Sequence, residues 1–190
     1  MLTVPTPKSA STLDTSDLLA LWDQCVPLPS PAARARAVVA AVGDRSASRL
    51  TVGEANVVLL EFYGRLAGPV MAGVAECPTC GAELELEIDA TTLAAAGANG
   101  VDDWRSAIGD AVAAADPMAE IALTLTCPGC AASWDETLDP AAFVWAELDA
   151  EVRRVASEVL ALSRAYGWSE AAITSLTPWR RRLYLEAAGA

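Results

Sequence analysis

The chain has 190 residues, a formal net charge of −12 and a pI near 4.3, with 53% apolar residues and no histidine. That length holds one sizeable core, or a helical body with a small accessory module. The charge opposes polyphosphate, because non-specific nucleic-acid binding draws on many Lys and Arg contacts. The missing imidazole removes Ser-His and Cys-His dyads and mixed Cys/His metal sites, so enzymatic readings start at a disadvantage.

The first residues, MLTVPTPKSASTLDTSD, lack the basic start and apolar run of a secretory signal. No stretch of about eighteen apolar residues follows, so the expectation is a cytoplasmic chain without membrane insertion. After this Pro/Ser/Thr-rich leader, DTSDLLALWDQC opens with cap-type residues and sets Leu18, Leu19, Leu21 and Trp22 along one helical face. Cys25, at its end, is expected to be a buried free thiol. PLPSP stops this helix. A second helix is predicted through PAARARAVVAAVG, with Pro31 at the start and Gly43 as the exit. A third runs through TVGEANVVLLEFYGRLAG, where Thr51 and Glu54 have the spacing of a capping box.

From Gly68 the texture changes. In CPTCGAELELEID, Ala82, Leu84, Leu86 and Ile88 alternate with Glu83, Glu85, Glu87 and Asp89, the period of a strand with one wet face. AEIALTLTCPGCAASWDETLD repeats the plan, a strand entering a Cys-Pro-x-Cys turn and a second strand leaving it. Between the two, VDDWRSAIGDAVAAADP reads as a short helix capped near Asp102 and ended by Pro117. The strongest helical signal is PAAFVWAELDAEVRRVASEVLALSRAYG, from Pro140 to Gly167, with Phe143, Leu148, Val152, Val155, Val159 and Leu162 as its buried stripe. Ser169 then caps a turn, and Pro178 opens a final helical segment. The fold class is therefore mainly α with a small β zinc-ribbon-like module of two Cys-Pro-x-Cys hairpins and a long C-terminal helix. Residues 1–68 hold the leader and N-terminal helices, 69–138 the hairpins with their inserted helix, and 139–190 the long helix and a C-terminal helical turn.

Cys77, Cys80, Cys127 and Cys130 form the candidate metal site. A Cys-x-x-Cys turn sets two sulfurs on one side of an ion, so two turns complete a tetrahedral shell. The forty-six residues between the pairs exceed a short ribbon loop, but closure cost grows only logarithmically with length. Gly81 after the first pair permits a tight backbone exit, and Ala131 in the equivalent place departs from that pattern. Two rivals are a dithiol redox motif, which belongs at a helix N-terminus in a βαβ setting, and a ribbon without metal. The expected cofactor is one structural zinc per chain, since four thiolates leave no position for a substrate water. No catalytic residue is assigned.

The alternating carboxylates of ELELEID read as the wet face of a strand. Trp179, Arg180, Arg181 and Arg182 place a basic cluster beside an aromatic. In an acidic chain this is either a docking patch for an acidic partner or an internal counterweight to Glu147, Asp149 and Glu151. Trp168 is either a small core plug or an interface anchor.

The C-terminal half resembles a family of small proteins encoded among the tail and baseplate genes of contractile-tailed phages and phage-like contractile injection systems. The shared pattern is carried here by Cys127, Cys130, Asp139, Trp145, Glu147, Tyr166, Gly167, Trp168, Ile173, Leu176, Pro178, Arg180, Arg181, Arg182, Tyr184 and Leu185. LLALWDQC and AECPTCGAELELEID extend it less specifically into the first half. The resemblance implies a non-enzymatic part in a baseplate or hub, as a component or an assembly chaperone, with other baseplate, hub or spike subunits as partners. Trp168, Trp179, Arg180, Arg181, Arg182 and Tyr184 are the candidate partner contacts. The alternative from another class is a zinc-ribbon nucleic-acid-binding regulator, for which the charge predicts no binding.

Overall fold

A computed structural model describes residues 13–43, 49–99 and 116–189. Helices α1 (Thr15–Cys25), α2 (Pro31–Val42) and α3 (Val52–Leu66) come first. Each begins where a side chain takes over the orphan amides of the first turn. Asp14 and Asp17 cap each other reciprocally, Ser30 accepts from the Ala33 amide, and Thr51 with Glu54 closes the capping box that their spacing predicts. Leu21, Val38, Val39, Leu59, Leu60 and Phe62 turn inward and form the centre of the core. Cys25 is fully buried there as a free thiol, and burial pushes its pKa up against the pull of Arg34.

Two antiparallel hairpins follow. Strand β1 (Val70–Glu76) pairs with β2 (Glu83–Asp89) from Val70 opposite Asp89 to Glu76 opposite Glu83. Strand β3 (Ile121–Thr126) pairs with β4 (Ser133–Leu138) from Ile121 opposite Leu138 to Thr126 opposite Ser133. Each is a separate two-stranded sheet, with Met71, Ile121 and Leu138 at the bases buried in the helical core. The alternation in ELELEID is observed: the carboxylates stay exposed and Leu84, Leu86 and Ile88 are half-buried.

The connection between the hairpins differs from expectation. Helix α4 (Ala90–Asn99) starts directly after β2, in a segment with no apolar stripe to announce it. Asp89 ends the strand and starts the helix, accepting from the Thr91 hydroxyl at 2.6 Å and the Thr92 amide at 2.8 Å. These two bonds hold its carboxyl below the usual range. The helix expected from Asp102 falls outside the described residues, except that Asp116 and Pro117 are not helical. Asp116 instead crosses to the start of α3, accepting from the Thr51 hydroxyl at 2.8 Å and the Gly53 amide at 2.9 Å, while Asn56 donates to the Met118 carbonyl. A Cβ on Gly53 would overlap Asp116 and lie 2.9 Å from the Ala119 amide nitrogen. Gly53→Ala is expected to cost about 1–3 kcal/mol by overpacking; an unchanged urea midpoint would mean that the 116–120 segment is not seated on α3.

Helix α5 (Pro140–Tyr166) is capped by Asp139 and ends at Gly167, which takes the left-handed conformation. Its buried residues include Val144, Leu148, Val152, Val155 and Leu162. Val144 therefore takes the place expected of Phe143. The Phe143 ring leans out of the stripe onto the first hairpin, within 3.4 Å of where a Cβ on Gly73 would stand, and meets Tyr63 edge-on at 6.4 Å. Trp22 of α1 donates to Asp149 at 2.9 Å, tying the first helix to the long one. Short helices α6 (Glu170–Thr174) and α7 (Pro178–Ala188) fold back along α5. No helix among the described residues is long and apolar enough to cross a membrane.

Candidate metal centre

The two cysteine turns share one hydrogen-bond frame. The Cys77 amide donates to the Ala82 carbonyl at 2.8 Å and the Gly81 amide to the Cys77 carbonyl at 2.8 Å; Cys127 with Ala132 and Ala131 with Cys127 repeat both bonds at 2.9 Å. Closing the second bond turns the residue after each pair into the left-handed region, with φ of 71° at Gly81 and 60° at Ala131. Ala131 is the one non-glycine with positive φ among the described residues. Its methyl group crowds the backbone there at a cost of about 1–2 kcal/mol. Ala131→Gly relieves that cost and adds freedom to the unfolded chain. The net expectation is a gain on the order of 0.5–1 kcal/mol in thermal or denaturant unfolding, and a loss of stability would show that the turn adopts another conformation.

The frames bring all four sulfurs together. Cys77 and Cys130 stand 3.7 Å apart and Cys80 and Cys127 3.6 Å apart, with every ligand atom within 4.8 Å of the others. Bonds of about 2.3 Å to a tetrahedral zinc require sulfur separations of about 3.8 Å. The donor set and its spacing therefore fit a tetrahedral metal, and all four cysteines are free of disulfides. Cys77 and Cys127 are buried while Cys80 and Cys130 reach the surface, so the centre is closed towards the hairpins and open at the tips.

The backbone is arranged for thiolates. Burial pushes the Cys77 thiol up, but the amides of Thr79 and Cys80 and the neighbouring sulfurs of Cys130 and Cys80 bring it down to about 7. In the second turn the Gly129 amide donates to the Cys127 sulfur at 3.3 Å. At Cys80 the Ala82 amide pulls the other way, yet hydrogen bonding with the sulfurs of Cys130, Cys127 and Cys77 pushes it up to about 12. Four thiolates this close repel one another, so full deprotonation calls for a cation among them.

The other sequence-predicted residues divide into two groups. Trp168 stacks on Tyr166 at 4.7 Å and meets Tyr184 edge-on at 4.9 Å, and the Tyr166 hydroxyl donates to the Tyr184 carbonyl. Trp168 and Tyr184 thus plug the C-terminal turn. Trp179 is 76% exposed, with the Arg182 guanidinium 5.2 Å above its ring, and Arg180 and Arg182 are also exposed.

Arg181 is a correction. It is fully buried and cannot touch a partner of the folded chain. Nor does it balance Glu147, Asp149 or Glu151. Its guanidinium donates to Glu158 at 2.7 Å, to the Thr15 hydroxyl at 2.9 Å and to the Leu176 carbonyl at 2.8 Å. Asp149 is taken by Arg153 and Trp22, which hold its carboxyl below the usual range, and Glu151 is taken by Arg154. Sequence reasoning missed the Arg181 network, although helical phase signals it: at about 100° per residue, Arg181 and Leu185 lie opposite Trp179 and Leu183.

No protein-family model, curated protein or solved structure matches the chain.

Proposed function

We propose that this chain is a non-enzymatic scaffold with a zinc-ribbon-like module, a structural or assembly component of the baseplate or hub of a phage-like contractile injection system. The observation that carries the scaffold role is the closed set of four cysteine sulfurs, spaced for a tetrahedral ion. When bound, zinc supplies no chemistry beyond cross-linking, because four thiolates fill its coordination shell. The chain's own residues do the rest: paired turns present the sulfurs, amides of the turns stabilise their charge, and the hairpin bases pass into the helical core. The contractile-particle assignment is supported by the C-terminal pattern from Cys127 to Leu185. Trp179, Arg180 and Arg182 are its contact residues, whereas Trp168 and Tyr184 serve by shaping the turn that carries them.

Two measurements test this. Elemental analysis of the purified full chain is expected to give one zinc per chain; a zinc-free folded protein sinks the metal role. Mass spectrometry of intact sheathed particles is expected to find the chain if it is a permanent component. Absence from particles, with particle loss on gene deletion, makes it an assembly chaperone. Absence from particles with normal assembly after deletion overturns the contractile-particle assignment.

A further inference from the structure

Two exposed surfaces complement each other in pattern. On α7, Trp179 and Leu183 are 76% and 61% exposed and follow one another along the outward face. Helical phase sets Arg182 on one flank of this ridge and Arg180 on the other, and neither arginine has an ion-pair partner among the described residues. The second surface is the outer face of the first hairpin. Val70 and Val74 are 48% and 65% exposed on β1. Directly across the ladder Val74 faces Glu85, and Glu83 and Glu87 continue the same exposed row. One surface is apolar with guanidinium flanks; the other is apolar with a carboxylate flank.

These surfaces cannot meet within one copy. The hairpin is held at the start of α5, where Phe143 covers Gly73, and α7 is held where Arg181 bonds Glu158. Fifteen residues of helix separate the two anchor points, about 22 Å. We propose that the chain self-associates head to tail: Trp179 and Leu183 of one copy seat on the Val70, Ala72 and Val74 face of the next, with the arginine on the flank that meets β2, Arg180 or Arg182 according to the sense in which the helix lies, facing the row of Glu83, Glu85 and Glu87. An interface between two different patches is heterologous, so it closes into a ring or extends as a chain. Overall like charge opposes the approach, but that repulsion is screened beyond about 8 Å at physiological salt, whereas paired charges within the contact are not. The inference names a partner for the scaffold role, and it rests on that role only in this respect.

The test is mass against concentration for the zinc-loaded full chain at physiological salt, by light scattering and sedimentation velocity. Mass is expected to rise above the monomer with concentration. Arg180→Glu with Arg182→Glu, and separately Glu85→Lys with Glu87→Lys, should each weaken association by about tenfold or more. Mixing the two variants should restore it, because each then offers the charge that the other lacks. All four positions are exposed, and unchanged zinc content and circular dichroism confirm that the variants fold. A wild-type chain that stays monomeric, association indifferent to both reversals, or a mixture that fails to recover overturns the inference. A monomer still found in contractile particles overturns self-association alone; an associating chain absent from particles and dispensable for them overturns the baseplate assignment alone.

Discussion

Replacing Cys77 or Cys127 by serine is expected to abolish zinc retention and to melt both hairpins from their tips while the helices stay folded. A structural zinc site contributes on the order of 10 kcal/mol to the folding of the segment that holds it. An isolated two-stranded hairpin is marginal in water, and each hairpin here is a separate sheet of that kind. The helical body has its own support in the buried side chains of Leu21, Val38, Leu59, Leu60 and Leu148. Amide exchange should therefore accelerate in residues 72–87 and 123–136 and change little in α3 and α5, in the serine variants and in wild type treated with chelator alike. The hairpin bases, where Met71, Ile121 and Leu138 enter the core, should lose protection last. Tips that remain protected without metal would show that packing, not coordination, holds them.

The second large effect is expected at Arg181. Arg181→Met keeps most of the side-chain volume but removes a fully buried charge that binds Glu158, Thr15 and the Leu176 carbonyl at once. Breaking a buried ion pair by removing one partner costs about 3–5 kcal/mol. Glu158 keeps Arg154 as a second partner, which places the expectation at the lower end, about 3 kcal/mol. For a chain of this length that is a fall in melting temperature of roughly 6–12 °C. Arg180→Met, one residue away and exposed, should stay within about 0.5 kcal/mol of wild type. The two variants differ in composition by nothing except position, so equal melting temperatures would remove the buried network from any account of how α7 is held.

Local chemistry was the legible part of this sequence. The Thr51–Glu54 capping box, the helix end at Gly167 and the paired cysteine turns depend on residues a few positions apart, and all appear where their spacing puts them. The candidate site was readable for the same reason, since the hydrogen bonds that aim each sulfur close within six residues. Helix phase was harder. Val144, Leu148, Val152 and Val155 recur at four, four and three residues, whereas a stripe begun at Phe143 opens on a step of five. Helix α4 was invisible because Ala-rich segments carry no amphipathic period, and because the residue that starts it, Asp89, also completes the alternation of β2. Contacts such as Asp116 with α3 or Arg181 with Glu158 pair residues far apart in the chain, and no local pattern encodes them.

The placement of the cysteines at the hairpin tips has a mechanical consequence. Each hairpin stands on the helical body by two feet: β1 leaves α3 and β2 enters α4, while β3 rises from the segment seated on α3 and β4 descends into α5. Brought together at the top by the four cysteines, the two form an arch, and an ion held among the sulfurs would be its keystone. A load applied there is divided among four strands, each of which runs from the tip to a base in the helical body. Without the keystone the same strands are two cantilevers, each free to bend. With an ion bound at the four cysteines, the stiffness of the tips would depend on that one cross-link.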